Sequence, residues 1–166
     1  MGIKGKHSMK VNARNPHVAK RPVDAEKVLQ TFFNNHKEVI LAYLFGSFVN
    51  RKNGRFHDID IGVLLDPEAE EVLDKEMPYG YQSSLSTEIA HQLKYALVDV
   101  VILNHASPLL LRRIISTGKL IFCRSESQRM RFEVTSLKRF SDTKQIRKIK
   151  RFYMEQRIKK GLSAYG

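Results

Sequence analysis

The chain has 166 residues, 42% of them hydrophobic, with one cysteine and a formal net charge of +12. That length can bury one sizeable core and fits a single domain, while a lone cysteine excludes an intramolecular disulfide and a cysteine-based zinc site. No apolar stretch approaches the roughly 20 residues of a bilayer span, and the basic N-terminus lacks the apolar segment of a secretion signal, so a cytoplasmic protein is expected.

The charge sits at the two ends. Residues 1–22 carry six Lys or Arg and no acid, and residues 138–160 carry ten against Asp142 and Glu155, which leaves the rest of the chain close to neutral. The Gly, Asn, Pro and Lys content of 1–22 predicts a flexible basic arm, whose part ahead of Met9 reads as an extension. The domain follows over 23–123, and 124–166 is expected to be a basic helical tail packed on the domain or on a partner.

Asp24 to His36 reads as a helix whose apolar face is Val28, Leu29, Phe32 and Phe33, with Asp24 available as its cap. Val39 to Phe45 is a continuous apolar run rich in strand formers, so Gly46 and Ser47 fall where a buried strand gives way to a turn. If a short helix follows, its first backbone N–H groups lack intrahelical partners, and an anion suits that position. The next loop is basic. Arg51, Lys52 and Arg55 are either solvated or in contact with phosphate, and Gly54 offers a flexible position there.

Asp58 to Leu65 is a second strand, in which Asp58 and Asp60 project from one side while Ile59 and Ile61 enter the core. Two carboxylates so close repel unless a cation lies between them. An oxygen-only donor set favours a hard ion such as magnesium, which takes one or two carboxylates together with phosphate oxygens and water. An isolated Asp-x-Asp is more often a turn and a solvent-facing edge; the Gly-Ser turn twelve residues earlier makes a triphosphate and its magnesium the better reading here.

Asp66-Pro67 ends that strand, and Glu68 to Glu76 is an acidic, solvated stretch. In Tyr79-Gly80-Tyr81 the tyrosines either flank a nucleotide base or sit half-buried in a loop, the simpler account. A helix over Ser84 to Tyr95 leads to an apolar strand, Ala96 to Leu103. Its only charge, Asp99, is costly in such a strand unless it is paired, caps a turn or binds a metal. Ser107-Pro108 opens a helix that Gly118 closes; its apolar residues Leu109, Leu110 and Ile114, with Leu111 and Ile115 beside them, read as core. Residues 119–122 form a short strand leading to Cys123, a buried inert thiol. In the tail, Ile146, Ile149 and Tyr153 recur at helical spacing among charges. The aromatic residues Phe140, Phe152 and Tyr153 among those charges allow contact with RNA, against the simpler account of a helix packed on the domain or on a partner.

Gly46-Ser47, the Asp58/Asp60 pair and Asp99 together resemble the signature of the DNA polymerase β nucleotidyltransferase superfamily, and in particular its minimal nucleotidyltransferases, the MNT proteins paired with HEPN ribonuclease toxins. The resemblance covers roughly residues 24–122. It implies a two-layer α/β (α+β) domain, a mixed or largely antiparallel sheet carrying the carboxylates, with helices on the sheet's other face. It also implies that Gly46 and Ser47 bind the triphosphate, that Asp58 and Asp60 bind Mg2+, and that Asp99 completes the metal site or helps activate an acceptor hydroxyl. Two positions depart from the family pattern: Arg51 stands where many members have a second Gly, and His57 where they have Ser or Thr.

The implied activity is transfer of AMP from ATP to a hydroxyl of a HEPN-type toxin partner, for which the protein would be the antitoxin. Two other readings fit the same residues: transfer to a small molecule such as an aminoglycoside or lincosamide antibiotic, and a degenerate domain that neutralises its partner by binding alone. Whether the chain forms an oligomer is open at this level.

Overall fold

The computed structural model describes residues 24–50, 58–77 and 79–163; the basic arm and most of the loop before Asp58 lie outside them. In chain order the elements are α1 (Ala25–Asn35), β1 (Val39–Phe45), α2 (Ser47–Asn50), β2 (Ile59–Leu65), α3 (Pro67–Glu76), α4 (Tyr81–Leu93), β3 (Val98–Ile102), α5 (Pro108–Thr117), β4 (Lys119–Cys123), α6 (Glu126–Asp142) and α7 (Lys144–Ser163). Leu103–His105 adds a 3-10 turn.

The four strands form one mixed sheet in the order β3-β2-β1-β4, with β1 antiparallel to both its neighbours and β2 parallel to β3. All seven residues of β1 are buried, which explains its unbroken apolar run: a central strand covered on both faces has no solvent side on which to place a polar residue. The parallel β2–β3 pair needs a crossover, and α3 and α4 supply it.

Side-chain alternation along β1 sorts the core into two layers. Ala42 and Leu44 join Leu29 and Phe33 of α1 and Leu85 and Ile89 of α4 on one face. Leu41, Tyr43 and Phe45 meet Leu111 and Ile114 of α5 on the other. The expected helices on one face are therefore α1 and α4, and the carboxylate-bearing face has a partial cover of its own from α5 and the start of α6.

Several boundaries differ from the sequence reading for physical reasons. Asp24 sits at φ 60 and makes no side-chain cap bond; it lies 3.8 Å from Lys27 instead. The acidic stretch after Asp66 is helix α3, because Asp66 accepts from the Glu68 and Ala69 N–H groups at 3.1 and 3.3 Å and Pro67 occupies the first turn. Helix α4 begins at Tyr81 rather than Ser84, since Tyr81, Leu85, Ile89 and Leu93 form one buried stripe. Tyr81 is thus core, while Tyr79 is exposed. In α5, Leu111 and Ile114 are buried but Leu109 is 60% exposed.

Two side chains tie distant elements together. Arg124, just past β4, donates to the carbonyls of Phe33, His36 and Val39 at 2.9 to 3.0 Å, closing the end of α1 onto the start of β1. Tyr43 of β1 donates to Glu133 of α6 at 2.5 Å, and Arg129 holds the same carboxylate at 2.8 Å. Beyond α6 the tail turns at Thr143 and continues as α7, exposed over residues 151–158.

Candidate active site

The end of β1 and the start of β2 are held together by one close approach. Gly46 follows β1 at φ 69, a left-handed conformation that only glycine adopts freely. A Cβ on Gly46 would lie 1.8 Å from Asp60 Oδ2, so the carboxylate occupies the space that a side chain would fill. The Ser47 backbone N–H donates to Asp60, and the Ser47 hydroxyl donates to Asp58 Oδ1 at 3.3 Å. The short helix expected after the turn is α2, and its first N–H is already engaged by a carboxylate.

Register brings the third acid to the same row. Phe45 pairs with Asp60, and Asp60 pairs with Asp99 across the parallel β2–β3 ladder. Asp60 and Asp99 alternate with Ile59, Ile61, Val98 and Val100, all of which pack on the α1–α4 side, so both carboxylates belong to the opposite face. The cost of an ionised group in an apolar strand is reduced here because β3 is an edge strand and Asp99 is exposed.

The electrostatics follow from this crowding. Burial, then the charges of Asp58 and Asp99, push the Asp60 carboxyl up to about 6, against the smaller opposing effects of the Ser47 N–H and of Arg113. The site thus concentrates negative charge where a cation would relieve it, and its side-chain donors are all oxygen, which suits a hard divalent ion. Among the described residues no three acidic, His or Cys side chains converge closely enough to enclose a metal on their own. Magnesium fits under that condition only with phosphate oxygens or water in its remaining positions, as is usual for it.

Two residues near the site gave no signal in the sequence. Arg113 projects its field onto Asp60 from α5, and the adjacent Arg112 looks identical in a helical pattern. Tyr95, between α4 and β3, feels Asp58: burial first and that charge second push its hydroxyl up. His57, Arg51, Lys52, Gly54 and Arg55 lie outside the described residues. Cys123 is half-buried beside Glu126 rather than sealed in the core, with Sγ 3.6 Å from Oε2.

Residues 27–127 match the Polymerase beta, Nucleotidyltransferase family, and the chain belongs to it. The solved structures it resembles include a mutant MntA-HpeT toxin-antitoxin complex, with TM-score 0.59 and 23% identity over 80% of this chain and 99% of that one. A toxin-antitoxin structure with AMP-PNP gives TM-score 0.59 and 24% identity over 80% and 99%. A tri-AMPylated Shewanella oneidensis HEPN toxin in complex with MNT antitoxin gives TM-score 0.54 and 24% identity over 78% and 95%. At such identities the likeness is one of fold. No curated protein sequence matches significantly. No helix among the described residues is long and apolar enough to cross a membrane.

Proposed function

We propose that this chain transfers AMP from ATP to a hydroxyl group of a HEPN-type toxin and thereby acts as its antitoxin. The observation that carries the reading is the Asp60 carboxylate, seated over Gly46 and raised to about 6 by burial and then by the charges of Asp58 and Asp99, beside the turn where the family binds a triphosphate. Membership of the nucleotidyltransferase family supports the chemistry. The solved complex of MNT antitoxin with tri-AMPylated HEPN toxin supports the choice of acceptor.

In this assignment Gly46 and Ser47 position the phosphates, and Asp58 and Asp60 hold magnesium. The ion would neutralise the triphosphate and stabilise the departing charge. Asp99 adds to the acidic cluster or takes the proton of the acceptor hydroxyl. The acceptor oxygen forms a bond to the α-phosphorus, the bond from that phosphorus to the bridging oxygen breaks, and pyrophosphate carries away the electron pair. Ser47 orients Asp58 through its hydroxyl and Asp60 through its N–H, so the chain contributes mainly orientation and electrostatics.

The test is magnesium-dependent transfer of label from α-labelled ATP to the co-expressed partner, comparing this chain with an Asp58→Asn/Asp60→Asn variant. Label that appears on the partner with the native chain and vanishes with the variant is the expected outcome. A stable complex without label would reject AMP transfer and favour neutralisation by binding alone, and unchanged transfer by the variant would reject the metal assignment.

A further inference from the structure

The basic tail builds a concave site that AMP transfer does not use. A cleft of about 530 Å³ opens where α5, α6 and the first two turns of α7 meet. Its wall carries Arg112, Lys144, Arg147, Lys148 and Arg151, and no carboxylate lines it. The ion pairs among the described residues use other cations, so these five positive charges face one space without an acidic partner.

The floor of the cleft is fixed. Arg147 lies over the Phe140 ring at 3.6 Å and donates to the Phe140 carbonyl at 2.6 Å, while Arg112 approaches the same ring at 4.7 Å. Lys144, Lys148 and Arg151 are exposed along one side of α7. From Lys144 to Arg151 the helix rises about 10 Å, so the exposed cations are spread along the wall of the cleft rather than gathered at one point. Lys144, Lys148 and Phe152 recur at intervals of four, so an exposed aromatic ring continues the charged stripe, and Tyr153 meets it edge-on at 5.8 Å.

We propose that this cleft binds single-stranded nucleic acid, its cations tracking consecutive phosphates and Phe152 offering a face on which a base stacks. An acidic protein surface would use the charges but would have no need of the ring, whereas every nucleobase has a face to stack. The contacts read the backbone rather than the sequence of bases. The site draws on none of the residues assigned to AMP transfer, so either assignment can fail without the other.

Fluorescence anisotropy of short labelled single-stranded RNA and DNA with the full chain tests this across a salt series. The native chain is expected to bind at low salt, and tighter binding of one probe names the natural source. Lys144→Ala/Lys148→Ala/Arg151→Ala should weaken binding at least tenfold and reduce the slope of log affinity against log salt by about 2, at 0.7 per phosphate contact. Lys27→Ala/Lys37→Ala/Lys75→Ala removes equal charge from exposed positions elsewhere and should leave both nearly unchanged. Phe152→Leu should weaken binding about tenfold without altering the salt slope. Far-UV circular dichroism checks that α7 persists in each variant. Absence of binding, equal losses in the two triple variants, or equal binding of polyglutamate with no effect of Phe152→Leu would overturn the proposal.

Discussion

Asp60 meets opposing influences in a few ångströms. The Ser47 N–H and Arg113 favour its charge, burial and two other carboxylates oppose it, and the opposition wins, which leaves the carboxyl at about 6. Because the folded state holds this proton more tightly than the unfolded chain, the contribution of Asp60 to stability is greatest at low pH and declines as pH rises from about 4 through about 6. Urea unfolding in a chelator should show that decline, and Asp60→Asn should remove this component of it. In Asp58→Asn, NMR titration should place Asp60 below its native value, because one of the charges holding the proton is gone; an unchanged value would mean that burial and Asp99 set it without Asp58. Gly46→Ala combines an unfavourable φ of about 1–2 kcal/mol with an overlap on Asp60 itself, so transfer activity should fall by orders of magnitude while far-UV circular dichroism stays near native. Gly46, Ser47 and the two strand carboxylates were readable in sequence because strand alternation and turn chemistry are local. Arg113 was not, since only packing distinguishes it from Arg112.

The elements were legible where one layer of pattern sufficed. Uninterrupted apolarity marked β1, and Ser107-Pro108 marked the start of α5, where the Ser107 side chain accepts from the Leu110 N–H at 3.3 Å. Where two signals competed, the sequence misled. Asp66-Pro67 reads equally as a strand breaker and as a helix start, and the structure uses it as both; Asp66→Ala should cost about 1 kcal/mol in thermal unfolding, the usual worth of such a cap. The pattern of Ile146, Ile149 and Tyr153 predicts a helix through the basic stretch 138–160, yet that stretch is divided between α6 and α7, because Thr143 caps α6 and its hydroxyl turns back onto the Arg139 and Phe140 carbonyls. Arg124 was invisible beforehand, since its partners are backbone carbonyls from α1 and β1. Its replacement by Ala should destabilise the fold by about 1–3 kcal/mol, measured in urea, by leaving three carbonyls without their charged donor.

At the scale of the molecule, α5 serves both the acidic site and the basic cleft, Arg113 acting on Asp60 and the adjacent Arg112 lining the cleft. The near-neutral middle of the sequence hides this separation, because the three carboxylates come from strands joined by a crossover of two helices. The sheet is open, and β3 forms one of its edges. An edge strand of apolar residues such as Val98, Val100, Val101 and Ile102 invites another copy of itself to pair along it. Asp99 interrupts that run with a charge, so the carboxylate assigned to the chemistry also keeps the edge unattractive to other chains. Asp99→Asn and Asp99→Val should both lose transfer, but light scattering should show only the valine variant accumulating aggregates on storage. Equal dispersion of the two would reject that second role; if the difference holds, the position is guarded by colloidal survival as well as by activity, and a protein that abandoned catalysis would still have reason to keep a polar residue there.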